Sequence, residues 1–293
     1  MVQLENDFIK ICVNLHGAEL TSIFNKLTNE EMLWQGDPAY WKRQSPVLFP
    51  IVGSVWNNTY RYNGTEYAMS QHGFARDMDF VLKEKTDTSV FFLLCSNADT
   101  KELYPADFEL EIGYELDGRS VKVMWNVKNT GCDDMHFQIG AHPAFNYKGY
   151  NPEADTQGYF SLLPIDTNYR LSTITEKGCL GHDIAKIYYK EHCIIPITKD
   201  TFNNDALILE DSQVISVELQ DANRTPYIKL SFDAPVVGLW SPIKQGYAPF
   251  VCIEPWYGRC DKVGYEGEFA QRDWVMHLSA NGSFRTYYTI ELL

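Results

Sequence analysis

The stretch Phe108-Glu109-Leu110-Glu111-Ile112-Gly113-Tyr114-Glu115-Leu116 alternates apolar with polar or small residues along its whole length. Side chains along a strand point alternately to opposite faces, so this period of two reads as a strand with one buried and one wet side. Asp117-Gly118 follows as a turn, and residues 121–127 repeat the pattern: Val121, Val123, Trp125 and Val127 alternate with Lys122, Met124 and Asn126. Two such strands joined by a tight turn form an antiparallel hairpin with one face on a core. Residues 215–219, 228–232 and 286–292 carry the same alternation, separated by turns bearing Gly or Asn. No segment holds a 3.6-residue period over a dozen positions, so long helices are not expected. Many strands and few helices in 293 residues predict an all-β fold, a large antiparallel β-sandwich. With no linker, repeat or low-complexity tract, residues 1–293 read as one domain.

The remaining segments fit this plan. Residues 8–13 read as a short strand, 14–17 as a turn and 25–31 as a polar hairpin loop. Residues 36–45 are polar and aromatic and are expected to hold one helical turn. Residues 45–53 are apolar but contain Pro46 and Pro50, which keep them out of a central ladder and suit a cavity wall or the end of a sheet. Tyr62-Asn63-Gly64-Thr65 is a hairpin signal, and residues 71–77 are a polar, glycine-bearing loop.

The balance of 25 Lys and Arg against 39 Asp and Glu gives a net charge of −14. That disfavours nucleic acid and anionic membrane as partners and favours a small neutral ligand. The seven cysteines are scattered with no CxxC, which argues against a disulfide framework or zinc knuckle and for a reducing compartment. Neither a secretory leader nor an apolar run long enough to span a bilayer is present, so a cytoplasmic location is expected.

Two segments carry the chemistry. In Ile139-Gly140-Ala141-His142-Pro143-Ala144-Phe145-Asn146, the proline forces His142 onto extended backbone, as at a strand leading into a loop. In Val251-Cys252-Ile253-Glu254-Pro255-Trp256, an apolar strand ends in an acid followed by proline and an aromatic residue. Glu254 is either an exposed strand-end acid or a carboxyl partly buried beside Trp256, where desolvation raises its pKa and makes it a better proton acceptor. Cys252, two residues earlier on the same strand face, reads as core packing. His16, His182, His192 and His277 sit in polar or turn contexts and read as surface or packing residues. His136 and His142 share strand parity, but six residues of strand span roughly 20 Å, too far for one ion. With no HxH or HExxH, no metal site is expected. Gly-x-Ser-x-Gly, P-loop and GxGxxG motifs are absent.

Three blocks, Gln71-His72-Gly73-Phe74-Ala75-Arg76, Gly140–Asn146 and Ile253-Glu254-Pro255-Trp256, resemble in order and spacing those of the aldose 1-epimerase (galactose mutarotase-like) superfamily, most closely its bacterial LacX-like branch. Gly17-Ala18-Glu19-Leu20 and residues 46–53 extend the resemblance over most of the chain. It implies a β-supersandwich with a sugar in an open cleft, and cofactor-independent interconversion of α and β anomers of a free aldose. By the same resemblance Glu254 corresponds to the base and His142 to the acid. His72 matches a second active-site histidine, Arg76 a cleft arginine and Asp205 a sugar-binding aspartate whose alternative is an Asx turn. Arg43 is expected either in the cleft or in a surface salt bridge, and Trp240 either against the sugar or in the core. The asparagine–arginine pair of the galactose-specific branch is absent, so galactose preference is not implied. The glycine pair of the hexose-6-phosphate 1-epimerases is absent near Pro46, although Arg76 and Arg43 could supply that branch's basic pair. A sugar-binding protein without catalysis remains open. A glycosidase built on Glu254 and Asp205 would leave the histidine blocks without a role. The protein is expected as a monomer or homodimer.

Overall fold

The computed structural model describes residues 1–164, 169–187, 193–243 and 246–293. The side chain of His182 and the whole of His192 lie outside the described residues. The hairpin at the centre of the sequence reading is the centre of the larger sheet. Phe108–Asp117 and Ser120–Asn129 pair antiparallel in full register, Phe108 opposite Asn129 and Asp117 opposite Ser120. Leu110, Ile112, Tyr114, Val123, Trp125 and Val127 are buried, while the glutamates and lysines between them face outward. Glu109 meets Lys128 across the strands at 3.7 Å, an outward pair that reinforces the register.

Ser89–Cys95 and Val81–Lys85 extend this sheet on one side. Ser283–Leu292, Pro226–Phe232, Ser216–Gln220, Tyr159–Leu163 and Ile194–Pro196 extend it on the other, to nine strands. A second sheet of eight strands runs in the order Cys179–Ile187, Tyr169–Glu176, Leu207–Leu209, Val236–Trp240, Phe250–Tyr257, Ile139–Ala141 and Val47–Leu48, with Ala144–Asn146 also paired to Phe250–Tyr257. All these strand pairings are antiparallel. One hydrophobic cluster joins Ile112, Val123, Leu230 and Ile290 of the first sheet to Ile139, Val237, Val251 and Ile253 of the second. The sheets are therefore packed face to face, and each fully buried aliphatic side chain contributes about 1.5–3 kcal/mol.

The local expectations fare unevenly. Thr59–Tyr62 and Thr65–Ala68 form the expected hairpin, with Asn63 and Gly64 at φ of 48° and 77°, as a two-residue primed turn requires. The run from Pro46 forms only a two-residue strand at the sheet edge, as its prolines dictate. Residues 36–45 hold the one helical turn expected of them, at Asp37–Trp41, and no longer helix. The Asp37 carbonyl accepts from Tyr40 and Trp41 N–H, and the chain then opens so that Trp34 and Trp41 pack onto Phe250. Among the described residues the single α-helix is Ala98–Leu103, capped by Asn97, and no helix is long and apolar enough to cross a membrane.

Candidate active site

Phe250–Tyr257 is buried from Phe250 to Trp256, and its alternation serves two interiors. Val251 and Ile253 point into the sandwich core, whereas Cys252, Glu254 and Trp256 share the opposite face. Glu254 and Trp256 on that second face floor a cavity of about 350 Å³, lined also by Trp41, His72, Arg76, His142, Asp205 and Trp240 among others, while Cys252 packs beside it against Trp34, Ala144 and Phe250. The volume falls in the ~300–1,000 Å³ range of small-molecule sites.

Glu254 does not end its strand, as the sequence suggested; the strand continues through Pro255 to Tyr257. Proline is tolerated in this central position because the neighbouring strand is broken. Ile253 N–H donates to Pro143 O at 3.3 Å, and the next amide on that edge would be that of residue 255. The missing donor thus faces the gap between Ile139–Ala141 and Ala144–Asn146. The same gap releases His142 from the sheet and lets its ring lean over the floor. His142 Nε2 lies 3.2 Å from Glu254 Oε2, without the alignment of a hydrogen bond, and Glu254 Oε2 has no other partner. Gly238, paired with Glu254, is required by the same floor: a Cβ there would lie 2.5 Å from the Trp256 ring.

The imidazole of His142 is held by rings. Trp41 stacks on it with centroids 4.7 Å apart, and Trp240 and His72 meet it edge-on at 5.4 and 5.5 Å. Its Nδ1 is buried without a hydrogen-bond partner. His72 is fixed differently. Its backbone takes the left-handed φ of 67°, its N–H donates to Gly53 O at 2.8 Å, and Gly53 N–H donates to its Nδ1 at 3.1 Å. Because Nδ1 accepts, the proton of the neutral ring sits on Nε2.

Burial dominates the electrostatics. It pushes the Glu254 carboxyl well above the usual carboxylate range, helped by the nearby Asp205 charge. Burial and then the Arg76 charge push His142 down to about 3. Burial holds His72 well below the ordinary histidine range, so it is neutral near pH 7. Arg76 is lowered to about 10 by burial and Arg43, which leaves it charged at neutral pH. Its terminal nitrogen donates to Gln71 O at 2.6 Å, while its Nε is buried with no hydrogen-bond partner.

The fold thus brings His142, Glu254, His72, Arg76, Asp205 and Trp240 to one cavity. Asp205 stands at the exposed rim with φ of 67° and accepts Ala206 N–H at 2.8 Å, so it also makes the local turn anticipated for it. Arg43 is not among the lining residues; it pairs with Asp77 at 2.9 Å behind Arg76. Gly53, in the run expected to form a cavity wall, and Trp256, expected beside Glu254, both line the cavity, as does Trp41, which was not singled out from the sequence. The density of aromatics at Trp34, Tyr40 and Trp41 was the available signal for it. His136 lies elsewhere, beside His277, whose Nε2 is 3.0 Å from Asp134. Cys252 is buried as expected. Cys12, Cys95, Cys132, Cys179, Cys252 and Cys260 are free thiols. His142, Cys252 and Glu254 nevertheless form a group of potential metal ligands that histidine spacing alone did not foreshadow.

The chain belongs to the aldose 1-epimerase family, whose sequence profile matches residues 1–269. Protein LacX (plasmid) of Lactococcus lactis subsp. lactis is 31% identical over 264 residues, covering 88% of this chain and 87% of that protein. Two solved structures superpose with TM-scores of 0.93: a galactose mutarotase related enzyme from Lactobacillus acidophilus, 32% identical over 100% of this chain and 97% of that one, and a galactose mutarotase-like protein from Lactobacillus casei, 31% identical over the full length of both.

Proposed function

We propose that the protein is an aldose 1-epimerase that interconverts the α and β anomers of a free aldose, with Glu254 as base and His142 as acid. The observation that carries this reading is the 3.2 Å approach of His142 Nε2 to Glu254 Oε2 on the floor of a sugar-sized cavity. Anomer exchange needs two proton transfers at oxygens bonded to the same carbon, C1. Glu254 removes the proton of the C1 hydroxyl while His142 protonates the ring oxygen, and the C1–ring-oxygen bond breaks to give the open-chain aldehyde. Rotation about C1–C2 and the reverse transfers close the other anomer and restore both side chains. A raised carboxyl pKa makes the carboxylate a stronger base and a lowered imidazolium pKa makes the imidazolium a stronger acid, but the same shifts favour the neutral acid–imidazole pair at rest, so a proton passes from Glu254 to His142 before the transfers run. The reactive ion pair and the neutral pair differ only by one proton moved along the contact, with no change in net charge.

His72 presents a neutral Nε2–H and Arg76 a charged guanidinium to the sugar hydroxyls, and Asp205 accepts hydroxyls at the rim. Trp240 and Trp41 supply apolar ring faces for the C–H surfaces of the pyranose. No cofactor takes part.

Polarimetry or NMR on freshly dissolved α-glucose and α-galactose tests the reading. Acceleration of the approach to anomeric equilibrium is expected; none across a panel of aldoses refutes it, and sugar binding without acceleration identifies a binding protein. A hexose-6-phosphate substrate is favoured by one observation, the charged Arg76 lining the cleft with its Nε in no hydrogen bond and only a 3.8 Å ion pair to Asp77, and 6-phosphorylated aldoses in the same panel distinguish it.

A further inference from the structure

We propose that His142, Cys252 and Glu254 form a binding site for a thiophilic divalent cation, zinc by its chemistry, on the floor of the cleft. A ring nitrogen of His142, Cys252 Sγ and a Glu254 carboxylate oxygen all lie within 4.8 Å of one another, and all three residues are buried. Imidazole, thiolate and carboxylate are the donors zinc takes, at about 2.0–2.3 Å, which places neighbouring donors of a tetrahedral shell roughly 3.3–3.7 Å apart. The imidazole and carboxylate are already 3.2 Å apart, and a shift on the order of 1 Å would bring a thiol 4.8 Å away to the third corner. The fourth corner opens to the cavity that His142 and Glu254 line, which supplies both an entry path and room for a water ligand.

Two features point to a ligand here. Glu254 Oε2 is fully buried and has no hydrogen-bond partner, a costly state that a cation relieves. Cys252 shares the strand face of Glu254 and takes no part in the proton transfers, yet its sulfur closes the triangle. Magnesium and calcium are poor candidates because they demand six or more oxygen donors and would find one carboxylate. Binding is not a redox step. The metal–sulfur bond replaces the S–H bond and one proton leaves to solvent; a second follows where the carboxyl is protonated. An ion so held occupies the base and the acid together and blocks anomer exchange. That last consequence rests on the proposed function, whereas the binding itself does not.

Cobalt(II), a spectroscopically visible stand-in for zinc, is the probe, added to the full chain. The wild type is expected to bind one equivalent with a sulfur-to-cobalt charge-transfer band that zinc displaces. Cys252→Ser should lose the band, and a variant lacking the exposed Cys95 and Cys132 should keep it. Absence of the band in the wild type, or its persistence in Cys252→Ser, overturns the proposal. Should Cys252→Ser fail to fold, Glu254→Gln decides: it should keep the sulfur band but weaken cobalt binding by at least the ~10–100-fold that loss of an outer-shell partner costs. Unchanged affinity in that variant overturns the site. If the wild type accelerates anomer exchange, zinc should inhibit it, with relief by a chelator; if it does not, the cobalt band still tests the site independently.

Discussion

Replacing Glu254 with glutamine keeps the shape of the side chain and removes its ability to take a proton, so it separates chemistry from packing. Loss of a positioned general base costs ~10²–10⁴-fold in rate, or ~2.7–5.4 kcal/mol of transition-state stabilisation. The expected result is a fall of that size in kcat for anomer exchange, measured by NMR saturation transfer, with KM little changed. The same substitution should make the protein more stable. Burial raises the folded-state pKa of Glu254 well above its ordinary value of 4.5, so in this region the folded chain binds more protons than the unfolded one. Stability is then lost as pH rises from 4.5 towards the folded-state pKa, at ~1.4 kcal/mol for each unit between the two values. Glutamine does not titrate and escapes this loss. In chelator-containing buffer the Tm of E254Q should match that of the wild type near pH 4 and exceed it increasingly as pH rises towards the folded-state pKa, by on the order of 2 °C per kcal/mol for a chain of this size. A variant that retains full activity, or that is less stable than the wild type at pH 8, refutes the account of a buried carboxyl held ready as a base.

His72→Asn should raise KM about 3–10-fold with a smaller effect on kcat, since asparagine tolerates the positive φ but forfeits one neutral hydrogen bond worth ~0.5–1.5 kcal/mol; an unchanged KM removes His72 from the sugar site. Gly238→Ala forces a methyl against Trp256 and should destabilise the fold by ~1–3 kcal/mol, read from denaturant midpoints, with activity falling as the floor shifts. Asp261→Ala should cost ~3–5 kcal/mol because it strands Arg272, whose Nε sits 2.6 Å from the Asp261 carboxylate with both side chains buried. A loss under 1 kcal/mol there would mean that water reaches the pair.

The sheets were legible in the sequence wherever one face of a strand is wet. Phe108–Asp117, Ser120–Asn129 and Ser283–Leu292 alternate because their outward residues meet solvent, and the Asn63-Gly64 turn announces itself by backbone demand. Phe250–Tyr257 gave a weaker signal because both of its faces are buried, which is why its end was placed at Glu254 rather than three residues later. The single helical turn expected in residues 36–45 closes at Asp37–Trp41 and goes no further, and beyond it Trp41 stacks on Phe250.

The chain by itself determined the antiparallel sandwich and the motif blocks that hold His72, His142 and Glu254, because strand period and turn chemistry act over a few neighbouring residues. Only the tertiary structure decided that Glu254 is fully buried, that His142 touches it, that Trp41 stacks on that histidine and that Arg43 stands behind the cleft. Those facts depend on the gap in one strand lying opposite a proline in the next, and on desolvation by side chains brought from remote parts of the chain, and neither is written in any local pattern.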